Sequence, residues 1–231
     1  MPKHIGIIAC SAEGAALCYR TICTEAPDLM GEHMHPEITM HTHPLGDYMT
    51  HIRAGNWRAV ADIMLSSANK LAKAGADFAI SPDNTIHQAF GFVSRESPIP
   101  WLHIAKAVAR EAASQSFRSL GLMGTKYLMV SPVYTEVLEE FGISCMIPDE
   151  NNREKIDEII FKELVKGIFL EPSRLYFNEV IRALKDRGCD AVVLGCTEIP
   201  LIVDPSDCPL STLDSTRLLA RAALKESIED D

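Results

Sequence analysis

Gly75-Ala-Asp-Phe-Ala-Ile-Ser-Pro-Asp-Asn-Thr-Ile86 aligns without a gap on Gly188-Cys-Asp-Ala-Val-Val-Leu-Gly-Cys-Thr-Glu-Ile199. In each stretch a glycine follows a helical segment ending in Lys or Arg, as a helix C-cap does, and an aliphatic run then leads into a polar turn. Asp83 falls opposite Cys196. The beginnings of the two halves also match, Ile5-Gly-Ile-Ile-Ala-Cys10 against Leu120-Gly-Leu-Met-Gly-Thr125. Two buried strands can share Gly-x-Asp and aliphatics by chance, but two matches at similar separation favour a duplication.

Outward from these segments, short apolar runs alternate with longer stretches of helical period, the pattern of an α/β protein with parallel-type sheets. The pattern predicts strands near 4–10, 37–43, 77–82, 118–123, 143–147 and 190–195. It predicts helices near 12–26, 56–74, 101–115, 130–141, 153–166, 173–187 and 214–226. The expected halves are 1–115, with a C-terminal helix of about 211–231 packing back on it, and 116–210. Ligands in such sheets bind beyond the carboxyl ends of the strands. Two equivalent turns about a pseudo-twofold would then share one cleft, which suits a proton leaving one face of a carbon and arriving on the other.

Composition narrows the function. At 231 residues, 47% hydrophobic and 23% charged, the chain can bury a large core as a packed soluble protein without metals or disulfides. A net charge of −10 argues against nucleic acid, whose binding needs clustered Lys and Arg. A small-molecule substrate is expected, anionic ones included, because a few local donors dominate inside a pocket. Met1–Cys10 is too short and too soon interrupted for a signal peptide, and no apolar run is long enough to span a membrane, so the cytoplasm is the default. Seven cysteines without a C-x-x-C pair read as reduced thiols. His33-Met-His35 and His41-Thr-His43 alternate as strand neighbours, but no carboxylate or cysteine completes a ligand set, so they read as ordinary histidines and no metal is expected.

Cys196 is the first candidate for chemistry, because backbone N–H groups in a turn after a buried strand favour a thiolate; the alternative is a small thiol that merely packs. Cys10, at the end of the first strand, is a weaker candidate. Asp83 is different in kind, since a carboxyl of reference pKa roughly 3.9 is a far weaker base than a thiolate of roughly 8.5. Burial would make Asp83 an acid, a substrate ammonium would make it a binding carboxylate, and a third reading has it bonding its own turn beside Pro82. Asn84, Thr85 and Thr197 are candidate donors to a substrate carboxylate, and Ser11 and Thr125 end the paired first strands. Lys126 and Lys166 are candidate cations for a second carboxylate, Glu198 a candidate orienter, and His87 a brace for its loop.

These turns, Pro82-Asp-Asn-Thr-Ile-His87 and Leu194-Gly-Cys-Thr-Glu-Ile-Pro200, resemble the aspartate/glutamate racemase family, whose usual signatures are Cys-Asn-Thr-x-His and Gly-Cys-Thr-Glu-Ile. Further matches are Leu122-Met-Gly-Thr-Lys-Tyr-Leu-Met129, Ile147-Pro-Asp-Glu150, Phe161-Lys-Glu-Leu-Val-Lys-Gly-Ile-Phe169, and Tyr176 with Phe177. The resemblance covers nearly the whole chain. It implies racemisation without pyridoxal phosphate or metal, by a thiolate on one face of the substrate and a thiol on the other, in a homodimer. Two places depart from the family: Asp83 replaces the first cysteine, and the glycine-rich amino-terminal turn is shortened to Ala9-Cys-Ser-Ala-Glu-Gly14. The expected function is a cofactor-independent racemase or epimerase of an acidic or related amino acid, with Cys196 as main acid/base and Asp83 as an unequal opposite-face partner. The alternatives are a single-cysteine lyase or decarboxylase, and a catalytically inactive member that binds an amino acid through Asp83.

Overall fold

Buried aliphatic runs such as Ile5-Gly-Ile-Ile-Ala9 and Ala191-Val-Val-Leu194 belong to strands covered on both faces, because in a parallel sheet neither side meets water. In the computed structural model, which describes residues 1–229, the chain runs β1 (Ile5–Ala9), α1 (Ala12–Glu25), α2 (Pro27–Met30), β2 (Ile38–Thr42), α3 (Leu45–Arg53), α4 (Trp57–Lys73) and β3 (Phe78–Ile80). A 3-10 turn (Thr85–Ala89), α5 (Phe90–Glu96), α6 (Ile104–Ser114), β4 (Ser119–Met123), α7 (Lys126–Met129), α8 (Pro132–Glu140) and β5 (Ser144–Met146) follow. The remainder is α9 (Glu150–Lys162), a 3-10 turn (Leu164–Lys166), α10 (Glu171–Asp186), β6 (Ala191–Leu194), a 3-10 turn (Ile199–Leu201), β7 (Ser211–Asp214) and α11 (Ser215–Ile228). No helix among the described residues is long and apolar enough to cross a membrane.

The chain divides into two compact units, Met1–Ala107 with the chain from Thr216 onward, and Val108–Ser215. The first holds a sheet of order β2-β1-β3 and the second a sheet of order β5-β4-β6-β7, every pairing parallel. The central strand thus has the same neighbours in both. Even the fourth position is echoed, since Trp101 forms a parallel bridge to Ala79 of β3 where β7 pairs with β6.

The aligned segments explain this equivalence. Ile5 pairs with Phe78 and Leu120 with Ala191, so the register in space follows the sequence alignment. The aspartate of each Gly-x-Asp sets that register. The Asp77 carboxylate accepts the His4 N–H at 2.6 Å, and that of Asp190 accepts the N–H groups of Arg118 at 2.7 Å and Ser119 at 3.2 Å. Packing repeats as well. A Cβ at Gly6 would stand 3.1 Å from Leu71 of α4, and one at Gly121 would stand 2.9 Å from Leu184 of α10, so each central strand needs glycine where a helix leucine presses on it. In the first unit α11 supplies Leu219, Ala220 and Ala223 to a core shared with Ile5, Ile7, Cys18 and Ile22.

Several bounds differ from the periodic reading. The last helix starts at Ser215, one residue from the 214 that periodicity predicts, but the stretch from 211 counted with it in the division into halves is the strand β7, because Ser211-Thr-Leu-Asp214 buries Leu213 against the second sheet. The helix expected over 101–115 starts at Ile104, since Ala79 N–H donates to Pro100 and Leu102 N–H donates to Ala79. The segment expected as one helix over 130–141 begins at Pro132, after the separate short α7. The segment expected over 153–166 begins at Glu150, where Asp149 caps it by accepting the Asn152 N–H, and stops at Lys162.

Asp77→Ala should cost about 1–2 kcal/mol of stability, since it leaves the His4 N–H without its charged acceptor; Asp77→Asn, which keeps an acceptor, should cost less. Urea unfolding of the three proteins would measure the difference, and equal midpoints would show that the carboxylate does not hold the register.

Candidate active site

In the first unit the central strands β1 and β3 end in Cys10-Ser11 and Ser81-Pro-Asp83. Ser11 is the N-cap of α1, its Oγ accepting the Gly14 N–H at 3.3 Å. Ser81 Oγ donates to the Ile8 carbonyl at 2.9 Å and ties the two strand ends together. Asp83 is half-buried, and its Oδ1 accepts the Ile86 N–H at 3.1 Å, so one carboxylate oxygen caps the 3-10 turn as a turn aspartate does. Asn84 and Thr85 beside it are buried.

His87 fastens this turn. Its Nδ1 donates to the Asp83 carbonyl at 2.7 Å, while Nε2 accepts the Ile104 N–H at 3.3 Å from the start of α6. Those two bonds fix a neutral ring with the proton on Nδ1. The ring stacks on Phe90 and meets His103 edge-on, with centroids 5.8 and 4.8 Å away. Burial pushes His87 down to about 4 and His103 down to about 2. The bracing role expected of His87 matches these bonds.

Tyr48 lies on the short helix α3, which the sequence pattern does not predict. It is fully buried, with Ser67, Cys10 and Asp83 close to its hydroxyl. Burial, and after it the nearby Cys10 and Asp83, push its phenol well above the ordinary range. The paired histidines of β2 and its end meet edge-on, with ring centroids 4.8 Å apart, and each also reaches α4: His41 Nδ1 lies 3.0 Å from Ser67 Oγ, Lys70 Nζ donates to His41 Nε2 at 2.8 Å, and His43 Nε2 lies 3.2 Å from Ser66 Oγ. Among the described residues no group of three or more His, Cys, Asp or Glu is arranged to hold a metal.

In the second unit the matching strands β4 and β6 end in Gly124-Thr125 and Gly195-Cys196. They approach closely, Gly195 N–H donating to the Met123 carbonyl at 2.7 Å, and a Cβ at Gly195 would stand 2.8 Å from that same oxygen. Only glycine fits before the cysteine. Thr125 caps α7 by accepting the Leu128 N–H at 3.2 Å, the role of Ser11 in the first unit. Cys196, Thr197 and Glu198 are all buried, and one oxygen gathers them: Glu198 Oε2 accepts from Cys196 Sγ at 3.0 Å and from Thr197 Oγ1 at 2.7 Å.

The two lysines differ. Lys126 Nζ donates to Glu154 at 3.0 Å and lies 3.8 Å from Asp157, whose other oxygen accepts the Lys126 N–H. The Glu154 bond and the two carboxylates hold its ammonium charged. Lys166 is exposed at the end of a 3-10 turn, with Gly167 in the left-handed region behind it. Tyr176 donates to Asn152 at 2.6 Å and Phe177 fills the core.

Two parallel sheets of one strand order, each ending in a polar turn beyond its central strands, define a duplicated α/β fold. The chain belongs to the Asp/Glu/hydantoin racemase family, whose profile matches residues 5–223. Among solved structures it is similar to a Yersinia pestis protein described as a candidate Asp/Glu racemase, with 30% identity and a TM-score of 0.89 over 98% of this chain and 100% of that one. An aspartate racemase homologue from Pyrococcus horikoshii OT3 follows at 28% identity and a TM-score of 0.85, over 99% and 100% of the two chains. The broad specificity amino-acid racemase RacX of Bacillus subtilis (strain 168) is 20% identical over 161 residues, 70% of this chain and 69% of that protein.

The buried imidazoles generate a pH prediction. Between pH 6.5 and about 4 the unfolded chain binds a proton at position 87 that the folded chain refuses, so stability is fully present above this window and falls as pH drops through it. His103 acts in the same sense. Denaturation midpoints followed from pH 7 to 4 should fall, and His87→Gln should make that fall shallower by about one proton. An unchanged slope would place the His87 ring in solvent.

Proposed function

We propose that the protein is a cofactor-independent racemase or epimerase of an acidic or related amino acid, with Cys196 as its main acid and base and Asp83 as an unequal partner at the same carbon. The observation that carries this reading is the buried thiol at the carboxyl end of β6, in a Gly-Cys-Thr-Glu turn where its sulfur donates to a carboxylate. A thiol suits the reaction because its reference pKa of roughly 8.5 lets it give and take a proton near neutral pH. Asn84, Thr85 and Thr197 occupy the same two turns as Asp83 and Cys196 and would donate to the substrate α-carboxylate. Lys126 already pairs with Glu154 and Asp157, which leaves Lys166 as the better cation for a side-chain carboxylate. Relatives that act on amino acids, RacX broadly among them, support the substrate class.

A second reading, a single-cysteine lyase or decarboxylase, is favoured by the bond from Ile86 N–H to Asp83, which gives that carboxylate a turn-capping task. Substituted malonates losing carbon dioxide, with no α-deuteration of any amino acid, would establish it instead.

Cys196→Ser should reduce α-proton exchange in deuterated water at least about a hundredfold while leaving the melting temperature near that of the wild type, because an alcohol is a far weaker acid and base in similar space. Retention of most of the exchange would remove Cys196 from the mechanism.

Asp83→Cys should gain two-way racemisation of aspartate or glutamate and Asp83→Asn should lose it, when single enantiomers are followed by chiral chromatography. Wild-type behaviour in Asp83→Asn would make Asp83 a turn residue only.

A further inference from the structure

Glu198 has a position that a simple thiol mechanism does not use. Its side chain is 3% exposed, and it turns back along its own turn so that a single oxygen, Oε2, receives both the Cys196 thiol at 3.0 Å and the Thr197 hydroxyl at 2.7 Å. A buried carboxylate is retained only where such bonds replace water. The proton between sulfur and oxygen rests on sulfur, because a thiolate is by far the stronger base of the two and the pair carries one negative charge whichever atom holds the proton. Resting Cys196 is therefore an acid and not a base.

We propose that Glu198 is the positioning residue and resident proton acceptor of Cys196, so that the two work as one acid–base pair sharing a single negative charge. The inference rests on the reading of Cys196 as the main acid and base. To act as base, Cys196 passes its Sγ proton to Glu198 Oε2, and the thiolate so formed takes the proton from the substrate α-carbon. The S–H and C–H bonds break as O–H and a new S–H form, and the carbon keeps the electron pair. Return of a proton to the carbon from sulfur, followed by return of the Glu198 proton to the thiolate, restores the pair. Thr197, donating to the same oxygen, holds the carboxylate on the thiol side of the turn.

The pair makes two readouts move in opposite directions in Glu198→Gln. Loss of the neighbouring anion should let Cys196 ionise more readily, so its modification by iodoacetamide at pH 7.5, followed on the Cys196 peptide by mass spectrometry, should accelerate roughly tenfold. Loss of the acceptor should slow α-proton exchange at least roughly tenfold. Glu198→Asp keeps the charge and withdraws it from sulfur by one methylene, so its alkylation should fall between those of wild type and Glu198→Gln; it serves as the test should the latter melt early. Unchanged or slower alkylation in a folded variant overturns the pairing, and faster alkylation with unimpaired exchange overturns the acceptor role. If wild-type protein exchanges no amino-acid α-proton, the racemase reading fails by itself, while the alkylation comparison still decides whether Glu198 governs the thiol.

Discussion

The bond from an aspartate carboxylate to the backbone N–H at the start of the neighbouring strand is the constraint from which the architecture follows. Asp77 reaches His4 and Asp190 reaches Arg118 and Ser119, and in both units this pins the first residues of two adjacent parallel strands. A parallel pair has no hairpin to set its register, so something local must do so. Once the starting ends are level, strands of similar length bring their finishing ends level too. Ile7 lies level with Ile80 in one unit and Met123 with Leu194 in the other, with Asp83 and Cys196 just beyond the strand ends.

The two polar turns have been put to different uses. In the first, most of the geometry secures the turn itself: Asp83 Oδ1 caps it, the Asp83 carbonyl accepts from His87, and His87 reaches α6. In the second, backbone contact between Gly195 and Met123 does the securing, which leaves the Cys196, Thr197 and Glu198 side chains to bond one another. The duplicated backbone thus carries unequal chemistry, a braced carboxylate in one turn and a thiol bonded to a carboxylate in the other.

For the central strands, what could be read from sequence follows burial. β1, β4 and β6 were legible because both of their faces are covered and their residues form near-continuous aliphatic runs. β7 was not, because Ser211-Thr-Leu-Asp214 buries only Leu213 fully and reads as a polar turn. α3 was missed because Leu45-Gly-Asp-Tyr-Met-Thr-His-Ile-Arg53 buries only Tyr48 and Ile52, too few for a helical period, and Tyr48 was lost with it. Motif spacing singled out Asp83, Cys196 and Glu198, yet no periodicity reveals that one glutamate oxygen meets both a thiol and a hydroxyl. The environment of Lys126 was hidden in the same way, since its carboxylate partners lie about thirty residues further along the chain.

The first unit is interrupted in sequence, and its core between Ile5, Ile7, Cys18 and Ile22 is filled by Leu219, Ala220 and Ala223 of α11. During synthesis, therefore, the half that emerges first from the ribosome stays uncovered along one face until the last helix is made. The second unit, continuous from Val108 to Ser215, has all its own strands once β7 is made, just ahead of α11.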